Sequence, residues 1–259
     1  MNNFTTFLGK ELLEAWRKKR ILVMFAVFLF ITLVSPTLTR YSNEILQMLV
    51  TPEEMNAMGI ILFAPHWSSS YYSFYGNMNQ IGMIALILLC MGLVVQEIRR
   101  GTAALMMVKG LGQARFIIVK FVAYSITLFT TLLIMLILQH FLTLAFFGAG
   151  AEFANLLTGF VLYWIFAMMI LSLAILASAI STSVGMAAVF GILGFIAFSI
   201  PASLPRLREA FPYTLSTRVR EITSYNYFSD MLWANILTAI LTTAIFLTAS
   251  ILILRKREL

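Results

Sequence analysis

The sequence predicts an all-α, polytopic membrane protein with six transmembrane helices, and three observations carry that prediction. Hydrophobic residues make up 61% of the 259 positions and charged residues only 11%, against roughly 45–50% and about 25% in a soluble domain. A larger core does not account for this, because a soluble chain of this length still needs a charged surface. Six apolar runs approach the roughly 20 residues that a helix needs to cross a hydrocarbon core of about 30 Å. Lysine and arginine, finally, are unequally divided between alternate connections.

The runs are 21–39, 79–95, 117–147, 156–180, 184–200 and 231–254. The first has Pro36 near one end. The third is too long for one untilted span, and the fifth is barely long enough and is closed by Pro201. About twenty mostly polar residues precede the first run, which is expected to be an uncleaved span rather than a signal peptide. Cys90, the only cysteine, lies within an apolar run, so neither a disulfide framework nor a thiolate metal cluster is expected.

Of the 18 basic residues, 13 fall in 1–20, in the 96–116 loop with Lys120, and at the C-terminus. The 40–78 and 201–230 loops hold the other five, Arg40, Arg206, Arg208, Arg218 and Arg220. Both termini and the 96–116 loop are therefore expected on the cytoplasmic side of a cell membrane. The net charge of +7 becomes a topology signal beside anionic lipid, and nucleic acid is not an expected partner.

Several segments outside the runs also read as helices. In NFTTFLGKELLEAWRKKR, residues 3–20, one face carries Phe4, Leu8, Leu12, Ala15 and Trp16, while Lys10, Glu14, Arg17 and Lys18 turn away. This is the pattern of a helix lying in the cytoplasmic interface. TPEEMNAMGIILF, residues 51–63, opens with Thr51 as N-cap, Pro52 at the first position and Glu54 three residues on, a capping box. HWSSSYYSFYGN, residues 66–77, offers Trp67, Tyr71, Tyr72 and Tyr75 as an interfacial aromatic belt or, alternatively, as a substrate-facing vestibule. The proline-rich 201–230 loop either dips into the outer leaflet or caps the bundle.

Chemistry within the membrane is sparse. Glu97 and Lys120 sit at span ends, and the spans otherwise lack the ionisable groups of proton relays or voltage sensors. Gln139 and His140 form the most polar pair in the third run, read as packing residues. His66 and His140 stand 74 residues apart and do not supply a zinc motif. There is no Walker motif, and GAGAEF at 148–153 lacks the last glycine of a dinucleotide fingerprint. No catalytic residue, bound cofactor or metal is assigned, and the energy for any uphill transport is expected from another polypeptide.

The passage QEIRRGTAALMMVKGLGQAR, residues 96–115, interrupts this greasy sequence. Gly101 breaks the helix, and Thr102 is expected to cap a new one with its hydroxyl. AALMMVK supplies about two turns, and Lys109 favours the helix dipole. Gly110 suits a left-handed stop. Leu105, Met106 and Met107 then face either a partner or lipid; methionine adapts readily to irregular grooves.

The spacing Glu97-x-x-x-Gly101-Thr102-x-x-Leu105, followed by Arg115-Phe116 and Lys120, resembles the loop between spans two and three in export-type (type-2) permeases of ABC transporters. NMNQIGMIALILLCMG at 77–92 and GKELLEAWRKKR at 9–20 are also similar to that family, whereas the second half matches only in hydropathy. The family's Pro-(Leu/Val)-Ser before the arginine is replaced here by Leu111, Gly112, Gln113 and Ala114. The resemblance implies an N-terminal interface helix and a coupling helix that docks on a separate ATPase, which binds ATP and Mg. Two permease copies, expected as a homodimer, would work with two ATPases. By position Gly101 and Thr102 would start the coupling helix, Leu105, Met106, Met107 and Lys109 would lie at the ATPase interface, and Glu97 and Arg115 would frame it. The 201–230 loop would be the family's re-entrant segment.

Small residues three or four apart, Ala174 and Ser178, Ala177 and Ser181, and Gly191 and Gly194, permit close helix approach. For Gly191 and Gly194 this means packing within one subunit or a dimer seam, and the family's dimer contact through spans one and five makes these glycines the better seam candidates. The expected cargo is hydrophobic or amphipathic, such as a peptide, drug or lipid-like compound. Two other functions fit the hydropathy: a sodium-coupled secondary carrier, which requires unwound helix midpoints, and a non-transporting immunity or assembly protein.

Overall fold

A computed structural model describes residues 3–57, 64–108, 110–202, 204 and 209–257. Among these residues the chain is all helix, bend and turn, without a strand, and six helices are long and apolar enough to cross a membrane. They are Arg20–Arg40, Trp67–Arg99, Gln113–Phe147, Phe153–Ile180, Val184–Ala202 and Leu232–Lys256. The chain is thus a multi-pass helical membrane protein.

The fourth span is the axis of the bundle. Its most apolar stretch is 72% buried, against 17% and 11% for the fifth and sixth spans, which pack on its outer side. Short polar devices set the connections. Lys19 at φ 57° hinges the N-terminal helix, Asn3–Arg17, onto the first span. Gly148 at φ 67° ends the third span, its amide bonding the Leu144 carbonyl, and glycine alone adopts that conformation without strain. The Ser183 hydroxyl accepts the Met186 amide at 3.2 Å and opens the fifth span as an N-cap. Beside that N-cap Arg257 donates to the carbonyls of Ile180 and Ser181, which ties the last helix to the end of the fourth span. Both described termini and the 96–116 loop therefore share one end of the bundle, called here the basic end.

The third run, too long for an upright span, is one continuous 35-residue helix. At 1.5 Å per residue it reaches about 52 Å and projects beyond the hydrocarbon core.

The second span departs most from its sequence reading. It starts at Trp67 instead of 79 and is a composite: Trp67–Asn77, a π-helical turn Met78–Gly82, then Met83–Cys90, a turn, and Val95–Arg99. The aromatic-belt expectation is corrected accordingly. Tyr71 and Tyr75 are buried, and only Tyr72 is exposed. Tyr71 hydrogen-bonds His140 Nδ1 at 2.7 Å, while Gln139 donates to Ser70 Oγ at 3.0 Å. In lipid each buried polar group seeks a protein partner, and Ser70 and Tyr71 bond to Gln139, His140 and Thr143, while the Tyr75 hydroxyl and Gln139 Oε1 are buried without a hydrogen bond among the described residues. His140 and Gln139 are packing residues, as read from the sequence.

Among the other far-end segments, Ser42–Leu49 and Pro52–Ala57 are helical. The capping box forms, with Thr51 N–H donating to Glu54 Oε2 at 2.9 Å and Glu54 N–H to Thr51 Oγ1 at 3.3 Å; residues 58–63 lie outside the described set. In the 201–230 loop, Leu215–Tyr225 is a helix whose Leu215, Val219 and Ile222 are buried against the bundle. It inserts where side chains are missing: Arg220 lies over Gly76, and Thr223 over Gly159.

Candidate functional site

The loop helix at the basic end runs Thr102–Val108. Gly101, at φ 70°, turns the chain out of the second span. The Thr102 hydroxyl does not cap the new helix; it donates to the Glu97 carbonyl at 3.2 Å, because the preceding helix ends close by with unpaired carbonyls. The far end is a complete Schellman stop: Leu111 N–H bonds the Met106 carbonyl at 3.1 Å and Gly110 N–H the Met107 carbonyl at 3.0 Å, with Gly110 at φ 88°. Leu111 is buried as the hydrophobic lock of that motif.

The seven-residue helix divides its apolar side chains between two directions. Ala103 is fully buried, and Met106 and Met107 are half-buried and rest on the core. Leu105 and Val108 point away and are 63% and 87% exposed. The outward ridge is thus Leu105 with Val108, three residues on, where the sequence suggested Leu105 with the two methionines. Arg99, Arg100 and Arg115 are exposed around it, as are Gly101 and Gly110. Lys109 lies outside the described residues. Val108 was identifiable in principle from the i, i+3 spacing to Leu105, but seven residues do not fix a helix face.

Behind the ridge is a buried ion network that the sequence did not reveal. Lys120, near the start of the third span and 1% exposed, donates to Glu97 Oε1 at 2.8 Å and to Glu11 Oε2 at 2.9 Å. Lys10 lies 2.7 Å from Glu14 and also reaches Glu11 and Glu97, and Lys18 pairs with Glu14. Three carboxylates thus face three ammonium groups. Glu97 is itself 5% exposed, so its carboxylate serves this network from within instead of framing the loop with Arg115. Burial alone would lower the Lys10 pKa, but the Glu14 carboxylate, helped by Glu11 and Glu97, outweighs it and holds the ammonium above its usual range. Burial works in the opposite sense on Glu14, and Lys10 and Lys18 overcome it to hold that carboxyl down at about 2.

This corrects the interface-helix reading in part. Phe7, Leu8 and Leu12 pack on the core and Ala15 is buried, while Phe4 is half-buried. Lys10 and Glu14, expected to face water, turn inward to the network. Trp16 is 67% exposed and lies on the outward side with Leu13. Oxygens of Glu11, Glu14 and Glu97 come within 4.8 Å of one another, but Lys10 and Lys120 already neutralise them from positions a cation would need.

The site is also braced from the fourth span. Where the second span unwinds at 91–94, the Ser178 hydroxyl donates to the Met91 carbonyl at 2.7 Å and accepts the amides of Val94 and Val95 at 3.0 and 3.1 Å. One hydroxyl thereby satisfies three backbone groups that the broken helix leaves free. Arg20 adds a strut from the first span, donating to Gln96 Oε1 at 2.9 Å and to the Tyr124 hydroxyl at 3.2 Å. The stem from which the loop helix leaves, residues 91–97, is consequently bonded to the first, third and fourth spans and to the N-terminal helix.

Gly191 and Gly194 lie elsewhere. A Cβ on Gly191 would meet Ile87 Cγ2 at 2.6 Å, and one on Gly194 would meet Leu173 Cδ1 at 3.0 Å. Both glycines pack against spans of their own chain.

The chain matches no protein-family model. It is similar to an uncharacterized transmembrane protein of Bacillus subtilis (strain 168), YxlG, with 26% identity over 204 residues, covering 79% of this chain and 78% of that protein. The likeness agrees with a multi-pass membrane protein.

Proposed function

We propose that the chain is the membrane subunit of an ATP-driven exporter of the type-2 ABC permease kind. In this reading the basic end is cytoplasmic in the cell membrane, and the loop helix is gripped by a separate ATPase that binds and hydrolyses ATP with Mg. Two such chains, as a homodimer, work with two ATPases to move a hydrophobic or amphipathic compound outward. The observation that carries the reading is the exposed Leu105–Val108 ridge, flanked in the chain by exposed Arg99, Arg100 and Arg115 and carried on a stem that the Lys120 network and Ser178 brace. A lever transmits force only if its attachment is stiff, and the 91–97 stem that carries the loop is bonded to the N-terminal helix and to the first, third and fourth spans. The sodium-coupled alternative draws less support: the second span does unwind, but at 91–94 the groups an ion would need are bonded to Ser178.

The test is to search the neighbouring reading frames for a Walker-motif ATPase and co-express it with the chain, with the paired change Leu105→Asp and Val108→Asp. Burying each apolar side chain in a partner groove is worth about 1.5–3 kcal/mol, so the double variant loses at least a hundredfold in affinity and the complex does not co-purify. A complex that survives the substitution, or an ATPase that never associates, defeats the proposal.

A further inference from the structure

Two lipid-side grooves between the fourth and sixth spans share one residue. The larger encloses about 860 Å³ at the far end, walled by Leu157, Val161 and Ile165 on one side and by Leu232, Trp233 and Ile236 on the other. The smaller, about 240 Å³, starts from the same Ile165 and continues past Met168, Ile240, Thr243 and Leu247, with Phe121 at its edge. On the fourth span, positions 157, 161, 165 and 168 recur at intervals of four and three, and on the sixth so do 232, 236, 240, 243 and 247. Each set therefore lies on one helix face, and the two grooves form one straight furrow. From 232 to 247 it runs about 22 Å at 1.5 Å per residue, most of a hydrocarbon core of about 30 Å.

The polarity of the furrow changes along its length. Its far-end mouth carries Thr158, Ser229 and Asp230, and Trp233 beside them is 78% exposed. Asp230 is the only aspartate in the chain. Glu44 and Glu221 at the same end pair with Arg40 and Arg218, whereas Asp230 has no ion-pair partner among the described residues. An exposed indole next to an unpaired carboxylate suits a cationic head, through charge and through the ring face. Below the mouth the walls are apolar apart from Thr243. An anionic or phosphate-bearing lipid would place its phosphate against Asp230.

We propose that this furrow binds a single-chain amphiphile with a cationic headgroup, the ammonium at Asp230 and Trp233 and the chain along Ile165 and Ile240. The site needs no ATPase and stands apart from the function proposed above.

The test uses the full chain in nanodiscs of zwitterionic phospholipid. The probes are bromine-tagged alkyl trimethylammonium, alkyl phosphocholine and alkyl sulfate of equal chain length. Quenching of Trp233 is read as the difference between the wild type and Trp233→Phe. The cationic probe is expected to quench saturably, at a half-saturation about three- to thirtyfold below that of the sulfate. Asp230→Asn removes that preference, and Val161→Phe, which narrows the furrow, weakens the cationic probe while the helical circular dichroism is unchanged. Equal quenching by the three headgroups, which would mean ordinary lipid fills the furrow, overturns the proposal. So does a cationic preference that persists in Asp230→Asn.

Discussion

Replacing Lys120 by methionine keeps the side-chain length and removes the more closely bound of the two cations that Glu11 and Glu97 share. Both carboxylates are nearly inaccessible, at 5% exposure each, so the variant leaves two like charges buried side by side. Breaking a buried pair by deleting one partner costs about 3–5 kcal/mol. Lys10 remains 3.1 Å from Glu11 and 3.3 Å from Glu97 and offsets part of this, which places the loss near the lower bound, about 3 kcal/mol. For a chain of this size 1 kcal/mol corresponds to about 2–4 °C, so the melting temperature in detergent falls by about 6–12 °C. The triple variant Lys120→Met, Glu11→Gln, Glu97→Gln removes the stranded charges and recovers more than half of the loss. Thermal unfolding followed by circular dichroism measures both. A Lys120→Met protein that melts with the wild type, or a triple variant no better than the single, would refute the network as the anchor of the basic end.

Ser178→Ala leaves the Met91 carbonyl and the Val94 and Val95 amides without a partner, at about 1–3 kcal/mol for a buried unsatisfied group; hydrogen exchange at Val94 and Val95 accelerates at least tenfold, and unchanged exchange contradicts the bracing role. Acid titration reads the N-terminal helix. The Glu14 pKa is depressed to about 2, so its contribution is full above the usual carboxylate range and is lost as pH falls toward 2. The raised Lys10 pKa keeps its contribution intact below its usual value and removes it only in strong base. Trp16 fluorescence is therefore flat from about pH 5 to 10 and changes below about pH 4, with a smaller change in Glu14→Gln; a transition near neutrality counts against the assignment. Gly191→Ala drives a methyl into Ile87 and costs about 1–3 kcal/mol as overpacking. Ile87→Ala suppresses it in a double-mutant cycle, without a change in oligomeric state.

The spans were legible because length and composition alone decide which segments cross a bilayer. The observed first span, Arg20–Arg40, differs by one residue at each end from the apolar run 21–39. Gly101 and Gly110 marked the loop helix for a similar reason, since a left-handed residue at each end is a local requirement. What escaped was pairing at long range. Tyr71 and His140 are 69 residues apart, and Lys120 and Glu11 are 109 apart. Tyr71 looks interfacial until His140 on the third span supplies its bond. A signal for the network was present, since Glu97 and Lys120 are opposite charges at the ends of adjacent antiparallel spans, but Glu11 sat on a helix whose docking face had been read from hydrophobicity alone. The break at 91–94 left only Gly92 as a hint, because the hydroxyl that makes it tolerable belongs to Ser178 on another span.

The central claim is that the Leu105–Val108 ridge is cytoplasmic and covered by an ATPase. Labelling of a Val108→Cys, Cys90→Ser protein with a membrane-impermeant maleimide tests it most directly. The account predicts no labelling in intact cells, full labelling in inside-out vesicles, and protection in those vesicles when the ATPase is co-expressed. Labelling in intact cells, or labelling in vesicles that is indifferent to the ATPase, would contradict it.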